Sequence, residues 1–355
     1  MFGKLFLCSL IFFTVPILYG IEKMDPSLVS SEEWRKVETL SKEIVISSKR
    51  IELPDYPGAF NPSILKVEKG YLLSFRFMPD PLRLWLSYIG IVLLDEEFDA
   101  ISTVQLLDTR KGDKRTLSQA EDARLFSFEG RIYLIYNDSL EVKAPSNLEH
   151  RDMFLAELTE EDGVYELSSL LKLRHPQKYH SQFWQKNWVP FDYQGKLLMT
   201  YSLDPHEILN LNWATGICNP VCETKGDLPW KWGPPRGSTP PILVEGEYFA
   251  FLHSGIMMRS KISGWNELWH YFMGAYTFSS DPPFEITRMT PFFILDPTYY
   301  QNSKHPKRVI FPGGCVVDKD LIYVAYGKDD CEMWVSTIDK NKLFKRLQPV
   351  QRKDK

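Results

Sequence analysis

One hairpin pattern recurs five times along the 355-residue chain, and this repetition limits the possible fold more than any other feature. The copies span 64–75, 125–136, 189–201, 242–251 and 316–326. Each is an apolar strand, a short polar turn and a second apolar strand, with glycine in turns such as Glu129-Gly130, Gln194-Gly195 and Glu245-Gly246. That is the signature of a tight β-hairpin. Copies follow one another at about 50 to 75 residues, long enough for a four-stranded blade, and periods of this length point to a propeller or solenoid. Radial repetition leaves only short sheet edges and a central channel. The expected fold is all-β: a five-bladed β-propeller over residues 55–345 with a short N-terminal helix. A pair of sandwiches would not produce the repeat.

Composition agrees with this class. Aromatic residues make up 14% of the chain and sit in runs that alternate with small or polar residues, as half-buried strands require. The formal charge is −4 and basic residues form no block before the tail at 346–355, so nucleic acid is not an expected partner. Residues 21–54 read as a helical segment: Ser30 can cap, Glu32 and Glu33 follow, and Trp34 and Val37 lie at helical spacing. Its expected role is to cover a blade edge.

At the N-terminus, Met1-Phe2-Gly3-Lys4 precedes a nearly unbroken apolar run from 5 to 18, which suits a signal-peptide core and is short for a membrane span. Residues 1–20 are expected to export the protein to a periplasmic, secreted or lumenal location, or to anchor it. Four cysteines lie beyond this segment, at 218, 222, 315 and 331. In an oxidising compartment the local pairs Cys218–Cys222 and Cys315–Cys331 are the simplest connectivity, with a stapled loop or free buried thiols favoured over zinc.

A polar segment precedes each hairpin: Asn61-Pro62-Ser63, Glu121-Asp122-Ala123-Arg124, Lys186-Asn187-Trp188, Arg236-Gly237-Ser238-Thr239-Pro240 and Phe311-Pro312-Gly313-Gly314. Equivalent hairpins put these segments in equivalent places, gathering them at one mouth of the channel. Carboxylates, guanidinium groups, amides and glycines together suit a hydroxyl-rich or anionic ligand.

The order of these motifs resembles glycoside hydrolase family 130, the five-bladed propellers that include β-mannoside phosphorylases and hydrolases, and the related β-mannosyltransferases. The resemblance runs from about residue 55 to about 335. It includes Tyr71-Leu72-Leu73-Ser74-Phe75-Arg76, Gly237-Ser238-Thr239-Pro240-Pro241 and Tyr326-Gly327-Lys328-Asp329-Asp330. It implies that Asp122 is the general acid and that Asn61, Arg76, Arg124 and Asp330 line sugar and anion subsites. A carboxylic acid in that role protonates the glycosidic oxygen while a nucleophile attacks the anomeric carbon from the other face. In phosphorylases of this kind phosphate is the nucleophile, so a second catalytic carboxylate is not required.

The chain departs from the phosphorylase pattern at the end of the third hairpin. Tyr201-Ser202 stands where those enzymes carry a His-Arg pair for phosphate. Lys186, Arg124, Arg76 and Arg236 are the remaining candidates to hold an anion. Lys186 and Asn187 lie beside Trp184 and Trp188, which suit a sugar platform. His253 completes the candidate binding set, and His206 is weighed as a structural histidine.

The sequence reading is therefore a carbohydrate-active enzyme on mannose-type glycosides, transferring a glycosyl group to phosphate, water or a sugar. The expected partners are an oligosaccharide or glycan, together with inorganic phosphate or a sugar phosphate, and neither cofactor nor metal is called for. The alternative from a different class is a non-catalytic glycan-binding propeller.

Overall fold

Each recurring hairpin folds as part of one sheet in the computed structural model, which describes residues 31–80, 82–83, 86–110, 118–139, 151–178, 184–300 and 306–352. The turns explain the register. At Glu129-Gly130, Gln194-Gly195 and Glu245-Gly246 both residues have positive φ, from 49° to 84°, the two-residue turn whose twist matches the strands it joins. Glycine in the second position meets that requirement without a Cβ clash.

Four sheets are four-stranded antiparallel blades. The first contains Phe60–Val67, Gly70–Phe77, Tyr88–Leu94 and Gln105–Leu106, and the second contains Glu121–Phe128, Arg131–Asp138, Asp152–Glu161 and Val164–Leu173. The third contains Val189–Tyr193, Lys196–Leu203, His206–Leu211 and Cys218–Thr224. The last contains Ile310–Asp318, Leu321–Lys328 and Glu332–Asp339, and it is completed by Val45–Ile51 from the start of the chain. That strand pairs antiparallel with Glu332–Asp339, so the two ends of the repeat are joined within one sheet. Residues 45–51 thus belong to a blade rather than to the helical segment expected over 21–54.

The copy at 242–251 differs. It heads a seven-stranded sheet instead of the fifth four-stranded blade that the repeat leads one to expect. Its first strand is broken into Pro235–Gly237 and Ile242–Val244, both paired with the long strand Glu247–Met258. Pro240 and Pro241 lie in the gap, and proline cannot donate to a ladder, which accounts for the break. Leu268–Ser279 pairs along the whole of that long strand, and Ile286–Met289, Lys307–Arg308 and Gln348–Pro349 enlarge the sheet further. Gln351–Arg352 pairs with Gly226–Asp227, so the basic tail is partly recruited as edge strand.

The blades pack face to face, which explains why their middle strands are apolar on both sides. Ile64, Phe75 and Val92 of the first sheet meet Ala325, Met333 and Val335 of the last. Leu72 and Ile91 pack with Leu125, Leu134 and Phe154 of the second. Phe126, Tyr133 and Ile135 pack with Met199 and Leu209 of the third. Phe191, Phe249, Tyr276 and Val324 continue the core around the ring. The architecture is an all-β propeller. Fully burying one such large apolar side chain contributes about 1.5–3 kcal/mol.

The helix expected within 21–54 is observed over Ser31–Ile44. It buries Trp34, Val37, Ser41 and Ile44, an i, i+3, i+7, i+10 stripe. Trp34 meets Phe293 at 5.2 Å between ring centres, and the Leu295 N–H donates to Ser41 Oγ at 2.9 Å. A second helix, Lys340–Arg346, is capped by Asp339, whose side chain accepts from Lys342 N. Among the described residues no helix is long and apolar enough to cross a membrane. The export signal expected at 1–20 lies outside the described residues.

The expected disulfides are not formed: Cys218, Cys222, Cys315 and Cys331 are all free thiols. Geometry gives the reason. Cys218 and Cys222 lie on one extended strand, roughly 13 Å apart at strand rise, about twice the reach of a disulfide. Cys315 pairs with Val324 in mid-ladder, whereas Cys331 lies beyond the far end of that partner strand.

Candidate active site

Three inner strands begin with the same irregularity. Asn61 (φ 49°) and Asp122 (φ 54°) sit in register shifts at 60–63 and 121–124, and Asn187 (φ 65°) stands two residues before the third inner strand. A bulge bends the strand and re-aims a side chain. Left-handed φ costs Asn and Asp less than most residues, because their short polar side chains tolerate it. The ladder is therefore interrupted just where these polar residues project.

The side chains converge. Asn61 Nδ2 donates to Asp122 Oδ1 at 2.8 Å, and Arg76 Nη1 lies 3.6 Å from the same oxygen. Arg76 also donates from Nη2 to Glu121 Oε1 at 2.8 Å and from Nε to Ser87 Oγ at 2.9 Å, with its guanidinium 5.1 Å from the Phe60 ring centre. Glu121 is the hub of the charge network. Its Oε1 also meets Arg151 Nη2 at 2.8 Å, and its Oε2 accepts from Lys186 Nζ at 2.8 Å. Burial alone would raise the Glu121 carboxyl, but Arg76, Lys186 and Arg151 outweigh it and hold that carboxyl well below the usual range.

Arg124 is fully buried and binds across three sheets. It donates to Asp122 O at 3.1 Å, to Asn187 Oδ1 at 3.1 Å and to the Ser238 carbonyl. Burial pulls its guanidinium down to about 10, with Asp122 opposing. Ser238 in turn shares a 2.6 Å hydrogen bond with His253 Nδ1, and the His253 ring lies 4.6 Å from that of Phe311. Burial, with Arg236 and Arg124 nearby, keeps His253 well below the usual imidazole range, so the ring is neutral.

The structure thus brings Asn61, Arg76, Asp122, Arg124, Lys186 and Asn187 into one network, and it joins His253 to that network through Ser238. Arg236 is opposite His253 in the ladder but exposed, and its side chain bonds to no described residue. Asp330 (φ 54°) stands at the edge, 3.4 Å from Lys307 Nζ and close enough to Arg76 to support its charge. Trp184 is half exposed with Lys186 Nζ 4.9 Å from its ring centre, whereas Trp188 is fully buried and packs on Tyr201 at 5.2 Å.

Glu121, Arg151 and Ser238 join the site without having been among the residues expected from the sequence. Glu121 was legible as the neighbour of Asp122 in the Glu-Asp-x-Arg motif. Arg151 carried no signal, because it reaches the site from the start of the second sheet's third strand. At the third hairpin, Tyr201 packs on His175 at 4.9 Å and Lys178 Nζ lies 5.0 Å from its ring centre. His175 shares a 3.0 Å hydrogen bond with Glu207, which also pairs with Lys178.

A family profile described as β-1,4-mannooligosaccharide phosphorylase matches residues 34–348, from the first helix to the last strands. The chain belongs to glycoside hydrolase family 130. No curated protein matches it in a sequence search. Among solved structures it is similar in fold to a β-1,2-mannobiose phosphorylase from Listeria innocua in complex with β-1,2-mannobiose, with TM-score 0.55 and 16% identity, covering 87% of this chain and 97% of that one. A structure from work on glycoside hydrolases of the family that target β-1,2-mannosidic linkages in Candida mannan has TM-score 0.57, 11% identity and coverage of 84% and 87%. A GDP-mannose-dependent mannosyltransferase from Leishmania mexicana has TM-score 0.55, 12% identity and coverage of 87% and 94%. At these identities the likeness is one of fold.

Proposed function

We propose that this family member is an enzyme that transfers a mannosyl group from a mannoside, with Asp122 as general acid. The observation that carries the reading is the setting of Asp122. The residue projects from an inner-strand bulge, and both of its side-chain contacts, from Asn61 and Arg76, fall on Oδ1. Oδ2 is left for the glycosidic oxygen. In the step, Asp122 gives its proton to that oxygen, the bond from the anomeric carbon to it breaks, and an oxygen nucleophile bonds to the anomeric carbon from the opposite face.

The charge balance supports an anionic reactant. Arg76, Arg124, Arg151, Lys186 and Arg236 outnumber Glu121, Asp122 and Asp330, and a concentration of guanidinium groups suits phosphate. Tyr201-Ser202 brings no cation at the third hairpin, so phosphate, a sugar phosphate or the phosphates of a nucleotide sugar would rest on these five. Asn61, Asn187, His253 and Asp330 supply neutral and acceptor groups for sugar hydroxyls. We read the seven-stranded sheet as an enlarged fifth blade, since it contacts the third and last sheets and carries the fourth hairpin. We also read the apolar run at 5–18 as an export signal, which N-terminal sequencing of protein from the cell envelope or medium tests.

A screen of β-mannosides with and without phosphate, and of mannose 1-phosphate and nucleotide-mannose donors with sugar acceptors, tests the activity. Release or transfer of mannose supports the reading. Glycan binding without turnover of any of these would replace it with a binding propeller.

A further inference from the structure

A cavity of about 290 Å³ opens at the outer edge of the last sheet, lined by residues 50–51 and 331–333 at the end of that sheet and by 52–54 and 56–59 of the loop that leads into the first sheet. Both walls continue directly from site residues. Ala59 is two residues before Asn61, and Cys331 follows Asp330. The cavity therefore lies at the same end of the propeller as the Asp122 network, radially outside it. We infer that this cavity is a distal subsite for the sugar units of an oligosaccharide whose scissile bond lies at Asp122. This rests on the mannoside reading and adds where the rest of the chain of sugars is held.

The lining has the mixed character that a sugar requires. A pyranose ring presents C–H faces to apolar surface and hydroxyls at its rim to charged or amide groups. Tyr56 provides the apolar surface. Its ring is fixed edge-on against Phe77 at 5.0 Å and Phe75 at 5.9 Å. The loop that carries it is set by Tyr56 N donating to Leu53 O at 2.9 Å and Ala59 N donating to Tyr56 O at 3.2 Å. Across the cavity, Glu332 is oriented by Trp334 Nε1 at 2.8 Å, Lys328 Nζ at 3.4 Å and Arg50 Nη1 at 3.8 Å. Arg50 is exposed and can bridge to a sugar hydroxyl. A lining held this rigidly costs little to order when ligand binds.

Cys331 gives a readout independent of catalysis. Its thiol lines the cavity and is partly exposed, whereas Cys218 and Cys315 are buried. Burial and the acids around it push the thiol up to about 11, so alkylation is best followed near pH ~9, where some thiolate is present. In an Asp122→Asn background, which preserves the sugar, N-ethylmaleimide labelling of Cys331 and Cys222 is followed by peptide mass in the presence of mannose, β-mannobiose or β-mannotetraose. At about ten times its dissociation constant, the tetrasaccharide should slow Cys331 labelling about tenfold, with mannose and the Cys222 rate as unaffected controls. Tyr56→Ala should abolish the protection, and Tyr56→Phe, which keeps the ring and its packing, should retain it. Tetrasaccharide binding by calorimetry with an unchanged Cys331 rate would overturn the subsite alone. Absence of binding by every mannoside would overturn the subsite together with the reading beneath it.

Discussion

Asn61 on the first inner strand holds Asp122 on the second through a 2.8 Å hydrogen bond between their side chains, so the proposed acid is positioned by a neighbouring blade. The consequence is that its orientation depends on how closely the strands around the axis approach. Gly327 on the last sheet controls that approach for Asn61. A Cβ built there would meet Asn61 Oδ1 at 2.1 Å and Asn61 N at 2.7 Å.

Gly327→Ala should therefore push Asn61 away from Asp122. Overpacking of this kind costs about 1–3 kcal/mol, which a domain of this size can survive. Misplacing a catalytic group by about 1 Å can cost up to about 100-fold in rate. The expected outcome is a large fall in kcat with a modest fall in thermal midpoint, measured side by side on the same preparation. A midpoint loss with unchanged kcat would show that Asn61 does not position Asp122.

Glu121→Gln should destabilise the protein by about 3–5 kcal/mol, because it leaves Arg76, Arg151 and Lys186 around a neutral amide in a buried place. The wild-type carboxyl is held below its unfolded value, so its stabilisation is complete above about pH 4.5 and is lost as pH falls below that. Urea midpoints from pH 7 to pH 3 should fall more steeply below pH ~4.5 in the wild type than in the variant.

His206 gives a second pH signature with the same sign. Burial takes its imidazole down to about 4, its Nδ1 shares a 2.7 Å hydrogen bond with Phe284 O, and its ring packs on Phe278 at 5.1 Å. The unfolded chain binds a proton near pH 6.5 that the folded chain refuses until about pH 4, so stability is full above about 6.5 and declines between the two. The shift corresponds to roughly 3 kcal/mol across that window. His206→Gln should flatten the decline, and His270, also taken down to about 4, should account for part of what remains.

Arg124→Lys should cost at least about 2 kcal/mol, because one ammonium cannot reach the Asp122 carbonyl, Asn187 Oδ1 and the Ser238 carbonyl together. Denaturant unfolding measures the loss. Substrate affinity should fall as well, since Arg124 ties the second and third inner-strand segments to the fourth.

Much of the fold was legible because each hairpin has a local cause. A glycine turn between two apolar runs specifies its own pairing, and the five copies carried the propeller with them. The closing strand Val45–Ile51 had no such cue, since its partner lies near the other end of the chain; Ser48 Oγ and Ser336 Oγ share a 2.7 Å hydrogen bond across that gap. The broken inner strand of the seven-stranded sheet is written in Pro240 and Pro241, which in the sequence stand inside a polar motif that masks them as strand breakers. Within the site, Asn61, Asp122 and Asn187 could be found from their place before each hairpin. Arg151 could not, because its approach to Glu121 follows from blade geometry; the Cys218–Cys222 pair failed because nearness in sequence is distance along an extended strand, and Cys315–Cys331 failed because one lies in mid-ladder and the other beyond the far end of the partner strand.

The most direct test of the account is the turnover of Asp122→Asn against the wild type on a mannoside identified by the screen, with binding followed by calorimetry. Asparagine keeps the size and the contact with Asn61's side of the pocket but cannot deliver a proton, and general acid catalysis typically supplies about 10²–10⁴-fold. With Asp122 as the general acid, kcat should fall by that factor while the dissociation constant changes little. Full turnover by Asp122→Asn would contradict it.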